Sequence, residues 1–209
     1  MSDFTDFFPT AGATSGGGGA SGILKQHRIT TSGTLDLTTL GIADGDTIGL
    51  MVVGSGSGGY TYSSTNRGGS GGGVWKGTVT IGTAGTVTAT IPAGGNGNAN
   101  GAAAVLSGGG LPFNINTGIS STQGLANSQP NITPGTVYNG MAGYYNSSQD
   151  VSNAPGSGID GYGIGGTATP GYQVNVFYGT AYANSGRGGC ATTASQAVGA
   201  SGVIIIFYS

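Results

Sequence analysis

The chain has 209 residues, of which 47 are glycine, and only 6% of them are charged, giving a formal net charge of −2. Typical globular domains carry about 25% charged residues, so this composition is unusually neutral. Five basic residues form no patch for a nucleic acid, one cysteine excludes an internal disulfide, and no apolar run has transmembrane length. We therefore expect no nucleic-acid partner and no membrane insertion.

Residues 1–22 are predicted to form an extended N-terminal arm. Phe4, Phe7 and Phe8 stand close together and are followed by Pro9 and a Ser/Gly stretch. We interpret the three phenylalanines as a docking site for another protein, carried on a flexible tether; the alternative is a disordered tail. The segment has neither the basic nor the apolar region of a signal peptide, so we expect synthesis in the cytoplasm without export by the general secretory route.

Residues 23–209 are predicted to form one all-β, glycine-rich domain that resembles a β-sandwich. Short β-branched runs alternate with Gly and Pro turns, which is typical of all-β proteins; the clearest runs are 34–37, 48–53, 74–81 and 86–91. Residues 107–200 are predicted to be a long excursion of Gly/Asn/Ser/Tyr loops. Residues 202–208 are almost wholly apolar, so we expect a closing strand that is buried on both faces and pairs with residues 48–53.

Two glycine motifs resemble signatures of nucleotide binding or catalysis, but their surroundings argue against both functions. Residues 54–59 match Gly-x-Gly-x-x-Gly, yet neither a helical pattern nor an acid at the required spacing follows them. Residues 68–72 match the Gly-x-Ser-x-Gly elbow, a pattern expected by chance in a chain so rich in Gly and Ser. The only histidine, His27, fits a solvated strand position, and Asp44-Gly45-Asp46 is too short for a calcium loop. We predict no catalytic residue, no metal site and no cofactor, and we expect that the chain is not an enzyme.

The tyrosines of the excursion are the candidate recognition residues. Tyrosine combined with Ser, Gly and Asn is also the composition of antibody paratopes, in which rigid amphipathic rings supply contact area. The alternative, compatible with the first, is that these rings stack over glycines and cover the backbone. The candidate receptor-binding residues are Tyr138, Tyr144, Tyr145, Tyr162, Tyr172 and Tyr182.

A fixed order of short motifs links these segments. Ser32-Gly33-Thr34 precedes an Ala-Asp-Gly turn, and residues 48–53 then run into a glycine-rich stretch. Residues 71–81 read Gly-Gly-Gly-Val-Trp-Lys-Gly-Thr-Val-Thr-Ile, and residues 199–208 close the chain as Gly-Ala-Ser-Gly-Val-Ile-Ile-Ile-Phe-Tyr. This order resembles the glycine-rich domain of bacteriophage tail fibres and related virion appendages.

The resemblance implies a β scaffold that projects glycine-rich loops, with polyglycine-II-like helices as candidate segments. It implies a structural protein of the virion, a tail fibre or appendage component that presents loops for attachment to a host receptor. The implied partners are other virion proteins, bound through the arm, and a host surface glycan or outer-membrane protein. The neutral surface favours a homo-oligomer, for which we expect a homotrimer. The alternatives are a purely structural virion part, such as a head decoration or connector protein, and an ice-binding-like polyglycine-II protein.

Overall fold

The computed structural model describes residues 25–62, 65–119, 136–138, 145–146, 184–189 and 198–209. The predicted all-β class is confirmed, because antiparallel strands make up these ranges and their helical content is one 3-10 turn, Leu37–Leu40. No helix in these ranges is long or apolar enough to cross a membrane. The strands are β1 (Lys25–Ile29), β2 (Gly33–Asp36), β3 (Thr47–Val53), β4 (Tyr60–Tyr62), β5 (Thr65–Arg67), β6 (Val74–Thr80), β7 (Thr86–Thr90), β8 (Val105–Gly108), β9 (Ile115–Asn116), β10 (Thr136–Tyr138), β11 (Tyr145–Asn146) and β12 (Val203–Tyr208).

The larger sheet has five strands in the order β1-β12-β3-β6-β10. The closing strand β12 lies between β1 and β3, and its register places Val203 opposite Val53 and Phe207 opposite Gly49. The predicted pairing of the apolar closing strand is therefore confirmed. Strand β12 therefore connects β1 to the rest of this sheet.

The second sheet has four strands in the order β2-β7-β8-β9. Thr88 in β7 pairs with Thr34 on one side and Ser107 on the other, and Leu106 pairs with Ile115. The sheet thus includes residues 107–108 and 115–116, which the composition assigned to the loop excursion. Tight glycine turns at Gly108, Gly109 and Gly110, all with positive φ, join β8 to the segment that precedes β9.

One hydrophobic core joins the two sheets into a sandwich. Trp75 lies in this core, with its ring edge-on to Phe113 at a centroid distance of 6.2 Å. Because side chains alternate between the faces of a strand, every second residue of the larger sheet points into this layer. The buried members are Leu37, Ile42, Ile48, Leu50, Val52, Trp75, Val79, Ile81, Val87, Ala89, Ala104, Leu106, Ile115, Ile204 and Ile206.

A second buried apolar cluster covers the other face of the five-stranded sheet. Its members alternate along β3 and β12 with those of the sandwich core, and they are Met51, Val53, Val74, Val203, Ile205 and Phe207. The prediction that the closing strand is buried on both faces is therefore correct. Exposure of Ile205 is only 4%, so a polar group at this position would lack water.

The sandwich has two distinct ends. One end, here called the base, contains Lys25 opposite Tyr208, Thr47 opposite Thr80, and Asp36 opposite Thr86. At the opposite end the strands of both sheets leave the sandwich as glycine-rich segments. A third small sheet, β11-β5-β4, belongs to that opposite end and is called the tip sheet below.

Candidate functional site

Six extended segments continue the sandwich beyond its strands and form what we call the glycine bundle. Residues 54–59 follow β3 directly, and residues 68–73 lead into β6. Every residue of these two segments is buried. The other segments of the glycine bundle are 92–95, 99–102, 186–189 and 198–202.

The hydrogen bonds of residues 54–59 repeat every three residues. Gly54 and Ser57 donate their backbone N–H groups to Gly73 and Ser70, at 2.9 and 3.0 Å. Ser55 and Gly58 donate to Ala102 and Ala99, at 3.0 and 2.9 Å, and Gly56 donates to Ala200 at 3.0 Å. Successive residues thus bind three different neighbouring segments, which is expected of packed helices with three residues per turn and no internal hydrogen bonds.

The neighbouring segments have the same period. Gly69 and Gly72 donate to Gly189 and Gly186, at 2.6 and 2.7 Å. Gly199 and Gly202 donate to Gly95 and Pro92, at 2.9 and 3.0 Å. The spacing Gly-x-x-Gly in 69–72, 186–189 and 199–202 is therefore the sequence signal for this packing.

Close backbone contact explains why glycine occupies these positions. A β-carbon on Gly56 would collide with the carbonyl group of Arg187, and one on Gly94 would collide with the carbonyl group of Gly199. Both obstacles are backbone atoms, so neither can rotate away. The segments of the glycine bundle are consequently held together mainly by contacts and hydrogen bonds between main-chain groups.

Serines inside the glycine bundle take part in the same network. Ser57 donates its hydroxyl to the Ser70 carbonyl oxygen at 3.3 Å, and the Ser55 hydroxyl accepts from the Ala102 N–H at 2.8 Å. Ser55, Ser57 and Ser70 are all fully buried. Ser70 is the serine of the Gly-x-Ser-x-Gly match, and its carbonyl oxygen accepts the hydroxyl of Ser57.

The Gly-x-Gly-x-x-Gly match has an equally structural role. A dinucleotide fingerprint offers free backbone N–H groups at the start of a helix. In residues 54–58 these groups donate to carbonyl oxygens of the glycine bundle, and a strand, β4, follows Gly59 instead of a helix. These residues are therefore part of the scaffold.

The far end of the glycine bundle carries the tip sheet. The chain enters β4 directly after Gly59 and leaves β5 directly before Gly68, and Asn98 donates its N–H to the Gly59 carbonyl oxygen at 3.0 Å. Asn96 and Asn98 are exposed there. Strand β11, which belongs to the loop excursion, also lies at this end, because Tyr145 pairs with Arg67 and Asn146 with Asn66.

The structure describes the backbone of two of the candidate tyrosines, and these two belong to different sheets. Tyr145 lies in the tip sheet opposite Arg67, whereas Tyr138 lies in β10, at an edge of the five-stranded sheet opposite Val74. Tyr144, Tyr162, Tyr172 and Tyr182 lie outside the described residues, as do Phe4, Phe7 and Phe8 of the arm. Receptor binding by these tyrosines and docking by these phenylalanines remain predictions.

The aspartates at the base are used in turns. Asp36 accepts a hydrogen bond from the Thr38 N–H at 3.0 Å and caps the 3-10 turn. Asp44 accepts from the Ala84 N–H at 2.7 Å, and Asp46 accepts from the Ala43 N–H at 2.8 Å. These carboxylates therefore stabilise the base, and the portions of the chain with assigned positions contain no group of three metal-ligating residues.

Arg67 lies on β5, the central strand of the tip sheet. The backbone pairing of β5 with β4 and β11 places it opposite Tyr60 and Tyr145, residues that are separated by 85 positions in the sequence and that no local pattern links. Comparison with models of known protein families and with curated proteins finds no match to this chain.

Proposed function

We propose that this chain is a non-enzymatic component of a bacteriophage virion, a tail fibre or appendage protein that presents loops for attachment to a host receptor. The observation that carries the proposal is the polarity of the domain. Lys25, where the chain enters the sandwich after the arm, lies at the base, and the tip sheet lies at the opposite end beyond the glycine bundle. An appendage needs this separation, because it is anchored at one end and meets the host at the other.

The glycine bundle suits a protein that carries variable loops. Its segments are joined through main-chain N–H and carbonyl groups, so their packing does not depend on the residues of the connections between them. The segments also link the two sheets, since Gly202 donates to Pro92 at 3.0 Å. A rigid support beneath the loops lowers the conformational entropy that they lose on binding.

The low charge of the chain fits a role in an assembly. A nearly neutral surface gives little electrostatic repulsion between copies of the chain, so the copies tend to associate. Assembly into a homotrimer would direct this association into one defined oligomer. Three copies on one fibre would also raise the overall strength of attachment well above that of a single weak contact.

The experiment is a comparison of phage particles that carry substituted chains. Particles with Tyr144→Ala and Tyr145→Ala together should assemble normally and adsorb to host cells less well. The matched control is Thr88→Ala, an exposed substitution on the sandwich far from the tip, which should leave adsorption unchanged. Normal adsorption of the double variant, with the chain located on the head in images of the particle, would support the purely structural alternative instead.

A further inference from the structure

Residues 96–98, here called the tip turn, join two segments of the glycine bundle, 92–95 and 99–102. The tip turn begins with an asparagine that is followed directly by a glycine, Asn96-Gly97. The side chain of Asn96 is exposed, and among the described residues it has no hydrogen-bond partner. The N–H group of Gly97 likewise donates to no described group. An exposed side-chain amide therefore stands next to a backbone nitrogen that no hydrogen bond occupies.

Hydrogen bonds hold the chain on both sides of this dipeptide. Gly95 donates its N–H to the Gly56 carbonyl oxygen at 2.9 Å, and Asn98 donates its N–H to the Gly59 carbonyl oxygen at 3.0 Å. The peptide group that joins Asn96 to Gly97 lies between these two anchors and forms no hydrogen bond with the described residues. Rotation of this peptide group thus breaks neither anchor, and Gly97 has no side chain to obstruct its nitrogen.

We propose that Asn96-Gly97 is a site of spontaneous deamidation, and that its isoaspartyl product loosens the end of the glycine bundle. The Gly97 nitrogen loses its proton and bonds to Cγ of Asn96, the Cγ–Nδ2 bond breaks, and the amide leaves as ammonia with a proton in place of the one lost. Water then opens the cyclic imide at either of its two carbonyl carbons, which yields aspartate or isoaspartate at this position. Either product adds a negative charge to a part of the chain, residues 92–102, that has no charged residue.

The isoaspartyl product also lengthens the main chain by a methylene group, for which the packing leaves no room. A β-carbon on Gly58 would lie 2.8 Å from the Gly97 nitrogen and 2.9 Å from the Gly95 carbonyl oxygen, so the tip turn lies directly against Gly58. The lengthened turn must move away from this segment, and the hydrogen bond from Asn98 to Gly59 is then lost. The loosened end is the one that carries the tip sheet, because β4 follows Gly59.

A second pair of the same type, Asn100-Gly101, supplies a matched comparison within the chain. Asn100 makes an interaction within the fold, and Gly101 is buried. The next residue, Ala102, accepts a hydrogen bond from the Ser55 N–H at 3.0 Å and donates its own N–H to the Ser55 hydroxyl at 2.8 Å. Cyclisation at Asn100 therefore requires this segment to open first, which should slow it about tenfold or more relative to Asn96.

The first test incubates the folded full chain in mildly alkaline buffer and follows deamidation by mass spectrometry. Chymotryptic cleavage after Trp75 and Leu106 releases a peptide that contains both pairs, and its fragment ions assign the gain in mass to Asn96 or Asn100. Asn96 should react about tenfold or more faster than Asn100 in the folded chain, and the two should react at similar rates in concentrated urea. Equal rates in the folded chain, no reaction at Asn96, or the same preference in urea overturns the proposal.

The second test measures the effect of the product on the glycine bundle. Asn96→Gln removes the reactive amide, since glutamine cyclises far more slowly, and Asn100→Gln is the matched control. After incubation, hydrogen exchange at the N–H of Asn98 should be several-fold faster in the unsubstituted chain and in Asn100→Gln, but not in Asn96→Gln. The thermal midpoint and the fluorescence of Trp75 verify the fold of each fresh protein, and an isoaspartyl methyltransferase assay quantifies the product. Unchanged exchange in a chain that contains the isoaspartyl product would overturn the loosening.

Discussion

The carbonyl group of Gly54 occupies the space that a β-carbon on Gly72 would need. The two residues belong to adjacent segments of the glycine bundle, which Gly54 joins by donating its N–H to the Gly73 carbonyl oxygen at 2.9 Å. Two backbones can approach this closely only where no β-carbon stands between them, so the contact requires glycine at position 72. Glycine here is a packing residue.

Gly72→Ala should therefore lower the free energy of unfolding by about 2 kcal/mol or more, as expected when extra atoms are forced into a filled interior. Chemical denaturation followed by far-ultraviolet circular dichroism measures the loss. The matched control is Gly85→Ala at the base, where a β-carbon meets nothing within 4 Å and where the change should stay within about 1 kcal/mol. Equal stability of the two variants would contradict the close-contact explanation.

The sandwich could be predicted from the sequence because its signals are local or strongly apolar. The β-branched runs of β3, β6 and β7 alternate with turn residues, and β12 is too apolar for an edge. The glycine bundle gives no hydrophobic pattern, since its order comes from main-chain hydrogen bonds between distant segments such as 54–59 and 198–202. The pairing of Tyr145 with Arg67 is likewise set by the tertiary fold.

The ring of Trp75 should report directly on the packing of the sandwich. A β-carbon on Gly77 would lie 2.9 Å from Cη2 and 3.0 Å from Cζ2 of this ring, so Gly77→Ala must shift the indole from its position in the core. We expect a shifted fluorescence maximum and a loss of about 1–3 kcal/mol in stability. Trp75 is the only tryptophan, which makes the spectrum unambiguous. Gly33→Ala, with open space around it, is the control, and an unchanged spectrum for Gly77→Ala would contradict this packing.

Asp44 should stabilise the base through one hydrogen bond between turns. Its carboxylate accepts from the Ala84 N–H at 2.7 Å, and the site is exposed. Asp44→Ala should therefore cost only about 1 kcal/mol, measured as a shift of the denaturation midpoint. Asp44→Asn keeps an acceptor oxygen and should recover most of the loss. If both variants match the unsubstituted protein, this hydrogen bond contributes nothing to stability.

Ile205 tests whether the five-stranded sheet is buried on its second face. Ile205→Asp would place a carboxyl group among Met51, Val53 and Phe207. Even with Arg28 opposite it in β1, burial of this group should cost several kcal/mol, a large part of the stability of a domain. We expect aggregation or the loss of cooperative unfolding. Thr88→Asp introduces the same charge at an exposed strand position and should cost about 1 kcal/mol. A folded Ile205→Asp protein of normal stability would show that the second face is open to solvent.

The arm and the domain should be separable in function. Deletion of residues 2–15 removes Phe4, Phe7 and Phe8 but leaves every described strand, so the truncated chain should fold and bind its receptor as before. It should nevertheless be missing from purified particles, because three aromatic side chains that become buried on docking supply much of the contact energy of a short peptide. Substitution of the three phenylalanines by serine, at constant length, should give the same result. Immunoblots of purified particles measure incorporation, and the fluorescence of Trp75 verifies the fold. Normal incorporation of both proteins would show that the chain joins the virion through a surface of the domain.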